Sequence, residues 1–301
     1  MNALKKYYPI VLAVIGWALS FIWVKIAYEE FHPINLITLR VAGAAIVFFV
    51  IGFILKKLQP IKAADLKYFL LMAFFEPFLY FMGESHGMQI VSSTYGSVII
   101  STIPLFTPFA SYYLLKEKFK LSIFFGIIIS LTGIFIMEYS SIAESSFSFK
   151  GTLLMMVAVI SATFFPIFLQ KLTANYTNTT ILAYQNLFGF FMFLPFFMVI
   201  DFKDTIHTTF HIRPILALAG LIVFSSVLAF IFFTNSVKKI GVTKSNTFIN
   251  LIPVITAFLA FFILNEALSF QKIAGILIVI SGLFLSQIKF RKKHGRETET
   301  T

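Results

Sequence analysis

TYGSVIISTIPLFTPFASYYLLKEKF (94–119) and TKSNTFINLIPVITAFLAFFILNEAL (243–268) carry one pattern twice, 149 residues apart (243 − 94). Thr94 meets Thr243, Pro104 meets Pro253, Thr107 meets Thr256, Phe109 meets Phe258 and Glu117 meets Glu266. The match runs on through Gly126 with Gly275 and Gly133 with Gly282, and a shift of 146 (171 − 25) lays Lys25 over Lys171. Each copy is an apolar run about 20 residues long, the length at which a helix crosses a hydrocarbon core of roughly 30 Å.

Such runs fill the chain. The 301 residues are 58% hydrophobic and only 12% charged, with a mean hydropathy of +0.90. Soluble domains are near 45–50% apolar and about a quarter charged. Disorder and a water-soluble enzyme are both excluded by that apolar load. No cysteine is present, so disulfide scaffolds and thiol catalysis are excluded too. Ten apolar runs are bounded by charge or by Gly, Pro and Asn: 7–27, 34–56, 66–86, 93–115, 121–139, 150–171, 179–200, 213–236, 243–264 and 270–289. They are too long and too continuous for the alternating strands of a membrane barrel. The first follows Lys5 and Lys6 but has no small-residue cleavage site after it, so it reads as retained. The expected fold is an all-α integral membrane protein of ten transmembrane helices.

Charge placement gives the orientation. Counting loops alternately from the N-terminus puts eighteen of the 24 basic residues on one side. Lys150, Lys203, Arg213 and Lys272 fall on the other, and Lys25 and Arg40 lie within spans. The positive-inside rule then places both termini in the cytoplasm. The net charge of +11 becomes a set of topology anchors near anionic lipid, the basic tail 289–296 included, rather than a nucleic-acid patch. Five spans per half is an odd number, so the second half enters from the opposite side. The expected organisation is therefore two inverted five-helix repeats (5+5), residues 1–145 and 146–301. Inverted repeats are a signature of transporters, whose substrate site lies near the midplane between the halves.

GWALSFIWVKIAYEEFHPINLITLR (16–40) resembles the opening of the drug/metabolite transporter superfamily, EamA-type branch: a Trp in the first helix, a Lys near its end, a Pro, then an Arg in the second. Residues 93–118 are similar to that family's fourth helix and 245–266 to its ninth. The resemblance covers nearly the whole chain. It implies a central cavity lined by helices one to four and six to nine, helices five and ten at the periphery, alternating access, and export or uptake of small metabolites. The second half departs from the pattern where Asn186 stands in the place of Arg40.

Ionisable groups inside a span are costly and point to function by default. Glu76, Tyr80 and Glu84 share one face of the third span by their i, i+4, i+8 spacing. Glu76 falls near mid-span, with no basic residue expected at its depth, and reads as a proton- or cation-binding carboxylate. Glu84 matches Arg40 in depth and reads as its structural partner. Lys25 and Arg40 read as structural or snorkelling charges, with an anion-anchoring role less favoured. Ser101 and Asn250 each precede a proline by about one turn and are expected to line the cavity. Asn246 is the mirror of Ser97 on the same polar stripe. Trp17 sits too deep for the interfacial aromatic belt and offers a π-face to an amine, while Trp23 reads as a belt residue. Tyr184, Gln185 and Asn186 bring polar groups to the seventh span. The substrate-binding set is thus Glu76, Tyr80, Trp17, Ser101, Asn250, Tyr184 and Asn246. Glu117 and Glu266 read as interfacial residues that tie loop backbone. His32, His207 and His211 lie in outer loops without ligand spacing, so neither a metal nor a cofactor is expected.

The function expected is secondary transport, through a bacterial cytoplasmic (inner) membrane, of a small organic solute such as an amino acid or amine, with proton coupling as an option. An embedded enzyme and a channel are the rivals. The first needs clustered His, Asp or Glu, and no GxSxG, HExxH or phosphate-binding loop is present. The second needs no inverted repeat and builds its pore by symmetry or a filter. The partners expected are the solute, lipid and protons but no nucleic acid, with monomer and dimer both open.

Overall fold

The structure is a computed structural model, and it describes residues 3–115, 121–143, 148–209, 211–240, 245 and 248–287. All regular structure among the described residues is helical. Six helices are long and apolar enough to cross a membrane. They are α1 (Ala3–Ala27), α2 (Pro33–Ile54), α3 (Ala63–Ile90), α6 (Phe149–Leu172), α7 (Asn178–Ile200) and α8 (Ile212–Ile240). Four further segments are α4, broken into Ser93–Ile100 and Ile103–Leu115, then α5 (Leu121–Ala143), α9 (Phe248–Ile263) and α10 (Phe270–Gln287). The outward faces are greasy: Phe53, Val199 and Phe270 are each at least 80% exposed, which suits lipid rather than water.

Why the helices start where they do is legible locally. Pro33 opens α2 and Pro253 sits at the start of the α9 helix proper, positions where a missing N–H costs nothing. Ser92, Ser148 and Thr177 cap α4, α6 and α7 by accepting a main-chain N–H. Glu266 adds a cap from the second half, accepting the N–H of Ser93 at 2.8 Å and of Thr94 at 3.2 Å. It ties backbone as the sequence suggests. Glu117, Asn246, the side chains of Pro108 and His207, and the basic tail lie outside the described residues.

Packing joins the first half of the chain to the second. α1 lies against α8, α2 against α7, α3 against α6, α4 against α9 and α5 against α10. Several contacts exchange under the 149-residue shift. A Cβ on Gly133 would stand 2.8 Å from the Gly275 carbonyl oxygen, and one on Gly282 would stand 2.7 Å from that of Gly126. Between them the Ser130 hydroxyl donates to the Val279 carbonyl at 3.2 Å, a residue bonded to its own counterpart (279 − 130 = 149). α5 and α10 run antiparallel, since contacts that advance along one retreat along the other. α4 and α9 do the same, with Glu266 at the end of one segment touching the start of the other.

α3 and α8 share a second feature. Each contains a π-helical turn, Phe74–Leu79 in α3 and Leu221–Leu228 in α8. In α3 the turn holds Pro77, and Glu76 has non-helical angles (φ −138°, ψ 111°). Such a turn releases carbonyls from the helical ladder, and in a bilayer they need new donors. The Phe75 carbonyl receives the Ser161 hydroxyl at 2.6 Å, and the Glu76 carbonyl receives the Gln185 amide at 2.8 Å.

Candidate substrate cavity

Glu76 in the π turn of α3, and Glu84 beyond it, face a cavity between the halves. It is lined from α1 by Trp17, Ser20 and Phe21, from α2 by Arg40, and from α3 by Glu76, Tyr80, Phe81 and Glu84. Ile100 and Ile103 of α4, Phe165 and Pro166 of α6, Phe230 and Phe233 of α8, and Ile249 and Ile252 of α9 complete the wall. The empty space amounts to about 700 Å³, its open mouth included. Among the described residues, α5 and α10 supply no wall residue. α7 contributes no wall residue either, where the resemblance implies that it would.

One side of this cavity is polar. Arg40 is 4% exposed, its Nε donates to the Ser226 hydroxyl at 2.8 Å, and its Cζ sits 4.4 Å from the centre of the Phe81 ring. The Tyr80 hydroxyl donates to Glu84 Oε1 at 3.4 Å, while Glu84 Oε2 is buried with no hydrogen-bond partner among the described residues. The Glu76 carboxylate, 5% exposed, lines the same space. No basic nitrogen lies within 4 Å of either carboxylate among the described residues. The other side is aromatic. Trp17 packs edge-on against Phe230 (5.4 Å) and tilted against Phe233 (5.0 Å), and Phe165 stands edge-on to Phe230 at 5.7 Å.

The structure brings together Trp17, Glu76 and Tyr80, and adds Arg40 and Glu84, which sequence depth had assigned to structural roles. It keeps the other candidates apart. The Ser101 hydroxyl is spent on the Val98 carbonyl at 2.7 Å. Tyr184 packs among Phe49, Phe69 and Phe188, away from the wall. Asn250 sits on a 3₁₀ turn, Phe248–Leu251, whose neighbours Ile249 and Ile252 reach the cavity. Its own amide is buried, with neither Oδ1 nor Nδ2 bonded among the described residues. Lys25 donates to the Met88 carbonyl. Trp23 lies against Phe224 and over Gly220. Sequence reasoning missed Ser226, Phe81 and the Phe230–Phe233 pair. Only the first left a trace, standing 149 residues after Pro77 (226 − 77).

The two ends of the α2–α7 pair are tied by different chemistry. At the α2 C-terminus the Thr177 N–H donates to Gln59 Oε1 at 2.6 Å, and the Gln59 N–H donates to Thr180 Oγ1 at 3.0 Å. Tyr176 accepts the Lys62 N–H and donates its hydroxyl to Asp65 at 2.9 Å. At the α2 N-terminus the contacts carry charge. Asp201 accepts the Asn35 N–H at 2.8 Å, Arg213 pairs with Glu29 at 3.1 Å, and Glu30 takes both the main-chain N–H and the ring of His211. His211 is therefore exposed but engaged, not merely solvated.

A model of the EamA-like transporter family matches residues 5–139 and again residues 149–287. Among curated proteins, the uncharacterized transporter YetK of Bacillus subtilis (strain 168) is 28% identical over 83% of this chain and 77% of its own length. A second from the same organism, YcxC, is 28% identical over 92% of this chain and 91% of its own. An uncharacterized transporter of Archaeoglobus fulgidus is 25% identical over 96% and 99%. A solved crystal structure with 13% sequence identity superposes with a TM-score of 0.69 over 95% of this chain and 97% of its own, a likeness of fold.

Proposed function

We propose that this chain, which belongs to the EamA-like transporter family, is a secondary carrier. It moves a small organic metabolite bearing an amino group, an amino acid or an amine, across the cytoplasmic membrane by alternating access. The observation that carries this reading is the cavity between the halves, acidic on its α3 face and aromatic on its α1 and α8 faces. A buried carboxylate is costly unless it meets a cation, water or a proton. Two carboxylates face one guanidinium here, so the second binds a substrate ammonium or a proton, and proton coupling follows from exchange between the two.

Ten spans arranged as two inverted repeats, 1–145 and 146–301, are the architecture proposed. The exchange of contacts under the 149-residue shift and the antiparallel α4–α9 and α5–α10 pairs support it. Both termini face the cytoplasm by the basic bias of alternate loops. Ties at both ends of α2–α7 favour a carrier over an open channel. An enzyme is the alternative that the sequence argues against, with no GxSxG, HExxH or phosphate-binding loop in it.

Counterflow in liposomes tests the carrier reading: unlabelled solute inside should drive transient accumulation of labelled amino acid or amine. Glu76→Gln should abolish transport of amines or remove its pH dependence between about pH 5 and 8, with helical content unchanged. Normal transport by that variant across the range, together with loss of folding in both Glu76→Ala and Arg40→Ala, makes Glu76 a structural partner instead.

A further inference from the structure

Resting on the carrier reading, we propose that Arg40 anchors the anionic group of the solute, so that the cavity selects a zwitterion over a simple amine. Arg40 is held on two sides. Its Nε is fixed by Ser226 at 2.8 Å and its plane lies by the Phe81 ring, with Cζ 4.4 Å from the ring centre. A guanidinium has five N–H donors in a rigid fork. Only the Nε donor has a partner among the described residues, so the terminal Nη pair is free to receive a flat oxyanion in bidentate fashion.

A structural pair would look different. Breaking a buried ion pair leaves an uncompensated charge, so a stabilising Arg–Glu pair closes to direct contact and satisfies both partners. Arg40 and Glu84 line one cavity, yet neither Glu84 nor Glu76 approaches a basic nitrogen within 4 Å among the described residues. Glu84 keeps one oxygen, Oε2, buried and unbonded. Fixed positive and negative groups that share a cavity without touching leave a gap that one molecule carrying both charges fills. A solute with a carboxylate and an ammonium satisfies Arg40 and a glutamate together and adds no net charge. With a proton on the other carboxylate, as the carrier reading allows, an amine leaves the guanidinium without an oxyanion, and an acid leaves the ionised carboxylate without a cation. Trp17, Phe165, Phe230 and Phe233 receive the apolar remainder. The second half offers no duplicate, since Asn186, at the place of Arg40, spends its Nδ2 on the Leu182 carbonyl at 2.8 Å. The charged site is therefore single and lies off-centre, beside α2 and α3.

Three probes of one skeleton separate the charges: leucine, isopentylamine (leucine without its carboxylate) and 4-methylpentanoate (leucine without its ammonium). None absorbs where tryptophan emits. The chain has two tryptophans, so Trp23→Phe leaves Trp17, on the cavity wall, as the reporter. In this parent, leucine should bind at least about tenfold more tightly than either fragment. Arg40→Gln should weaken leucine by roughly ten- to a hundredfold and leave isopentylamine within about threefold, because only the anion contact is lost. Glu76→Gln, at the carboxylate that the carrier reading gives to the ammonium, should weaken leucine and isopentylamine but not 4-methylpentanoate. Should Arg40→Gln fail to fold, Arg40→Lys decides: it keeps the charge but not the fork, and leucine affinity should fall with isopentylamine held. Unchanged leucine affinity in either Arg40 variant overturns the proposal, as does a parent that binds isopentylamine as tightly as leucine. A parent that answers to none of the three overturns the amino-group carrier reading beneath it, a result distinct from losing Arg40 alone.

Discussion

Asn250 carries both of its amide atoms into the protein with no partner for either among the described residues, at 2% exposure. An unsatisfied buried polar group costs about 1–3 kcal/mol, so a residue with two such atoms weakens the conformation in which it is seen. It sits one turn before Pro253, on the irregular 3₁₀ segment whose neighbours Ile249 and Ile252 form the α9 wall of the cavity. A turn of that kind is where backbone angles change at low cost, and a second conformation that gives the amide a partner is favoured by the amount this one lacks. Leucine has the same branching as asparagine without the polar atoms. Asn250→Leu should raise the melting temperature by an amount equivalent to about 1 kcal/mol or more while lowering counterflow, because it deepens one state of a two-state cycle. A variant with a lower melting temperature and full transport would refute this, and would make Asn250 an ordinary packing residue.

Helix pairs that cross between the halves are where sequence and structure agree most closely. Gly126, Gly133, Gly275 and Gly282 are matched by the 149-residue shift, and the structure sets them against one another as two copies of one contact. A Cβ on Gly133 meets backbone and Val279 atoms at 2.8 Å, and one on Gly282 meets Gly126 and Ser130 atoms at 2.5–2.8 Å. Backbone cannot step aside as a flexible side chain can. Gly133→Ala and Gly282→Ala should therefore each destabilise by about 1–3 kcal/mol, and by similar amounts, because the contacts are equivalent. The double variant should cost less than the sum, since the first alanine already separates α5 from α10; thermal unfolding in detergent reads both effects. The repeat was legible because glycine, proline and capping residues mark backbone needs that recur with the fold. The relation of Arg40 to Glu76 was not. Counting depth at 1.5 Å per residue assumes a straight helix, and the π turn at Phe74–Leu79 breaks that assumption where Glu76 stands. Glu76, Tyr80 and Arg40 consequently share one cavity that depth arithmetic had divided. Tyr184 erred for another reason: polarity on a span marks a residue that needs company, and packing among three phenylalanine rings supplies it as readily as a cavity does.

At the scale of the whole molecule, the ends of α2 and α7 are closed by loops that are counterparts in the repeat but unlike in chemistry. The α2 C-terminal end is held by hydrogen bonds around Gln59, Thr177 and Tyr176, with one carboxylate, Asp65, and no ion pair among the described residues. The α2 N-terminal end, outermost in the proposed orientation, is held by Glu29 with Arg213 and Glu30 with His211. Exposed ion pairs are individually weak and screened by salt, whereas neutral hydrogen bonds are much less so. The balance between outward-open and inward-open forms should thus respond to salt and acid through the outer loops. Burial alone would push the Glu30 carboxyl up, but the His211 ring, its main-chain N–H and its charge hold it below the usual carboxylate range. A carboxylate with a depressed value contributes its contact above the ordinary carboxylate range and loses it as pH falls through the depressed value, so this tie is intact at neutral pH and opens in acid. Ser20 lines the cavity, and the chain has no native cysteine, so Ser20→Cys reports access from outside by its rate of reaction with an impermeant thiol reagent. Raising salt from 0.05 to 1 M should speed labelling by a few-fold. Glu29→Gln with Glu30→Gln should give the faster rate already in low salt and show no further rise. In acid the ratio of the Glu30→Gln rate to the unsubstituted rate should approach one, a ratio that cancels the reagent's own pH dependence. Labelling that rises with salt equally in the substituted and unsubstituted chains would place the screened contact elsewhere and leave these loops without a part in gating.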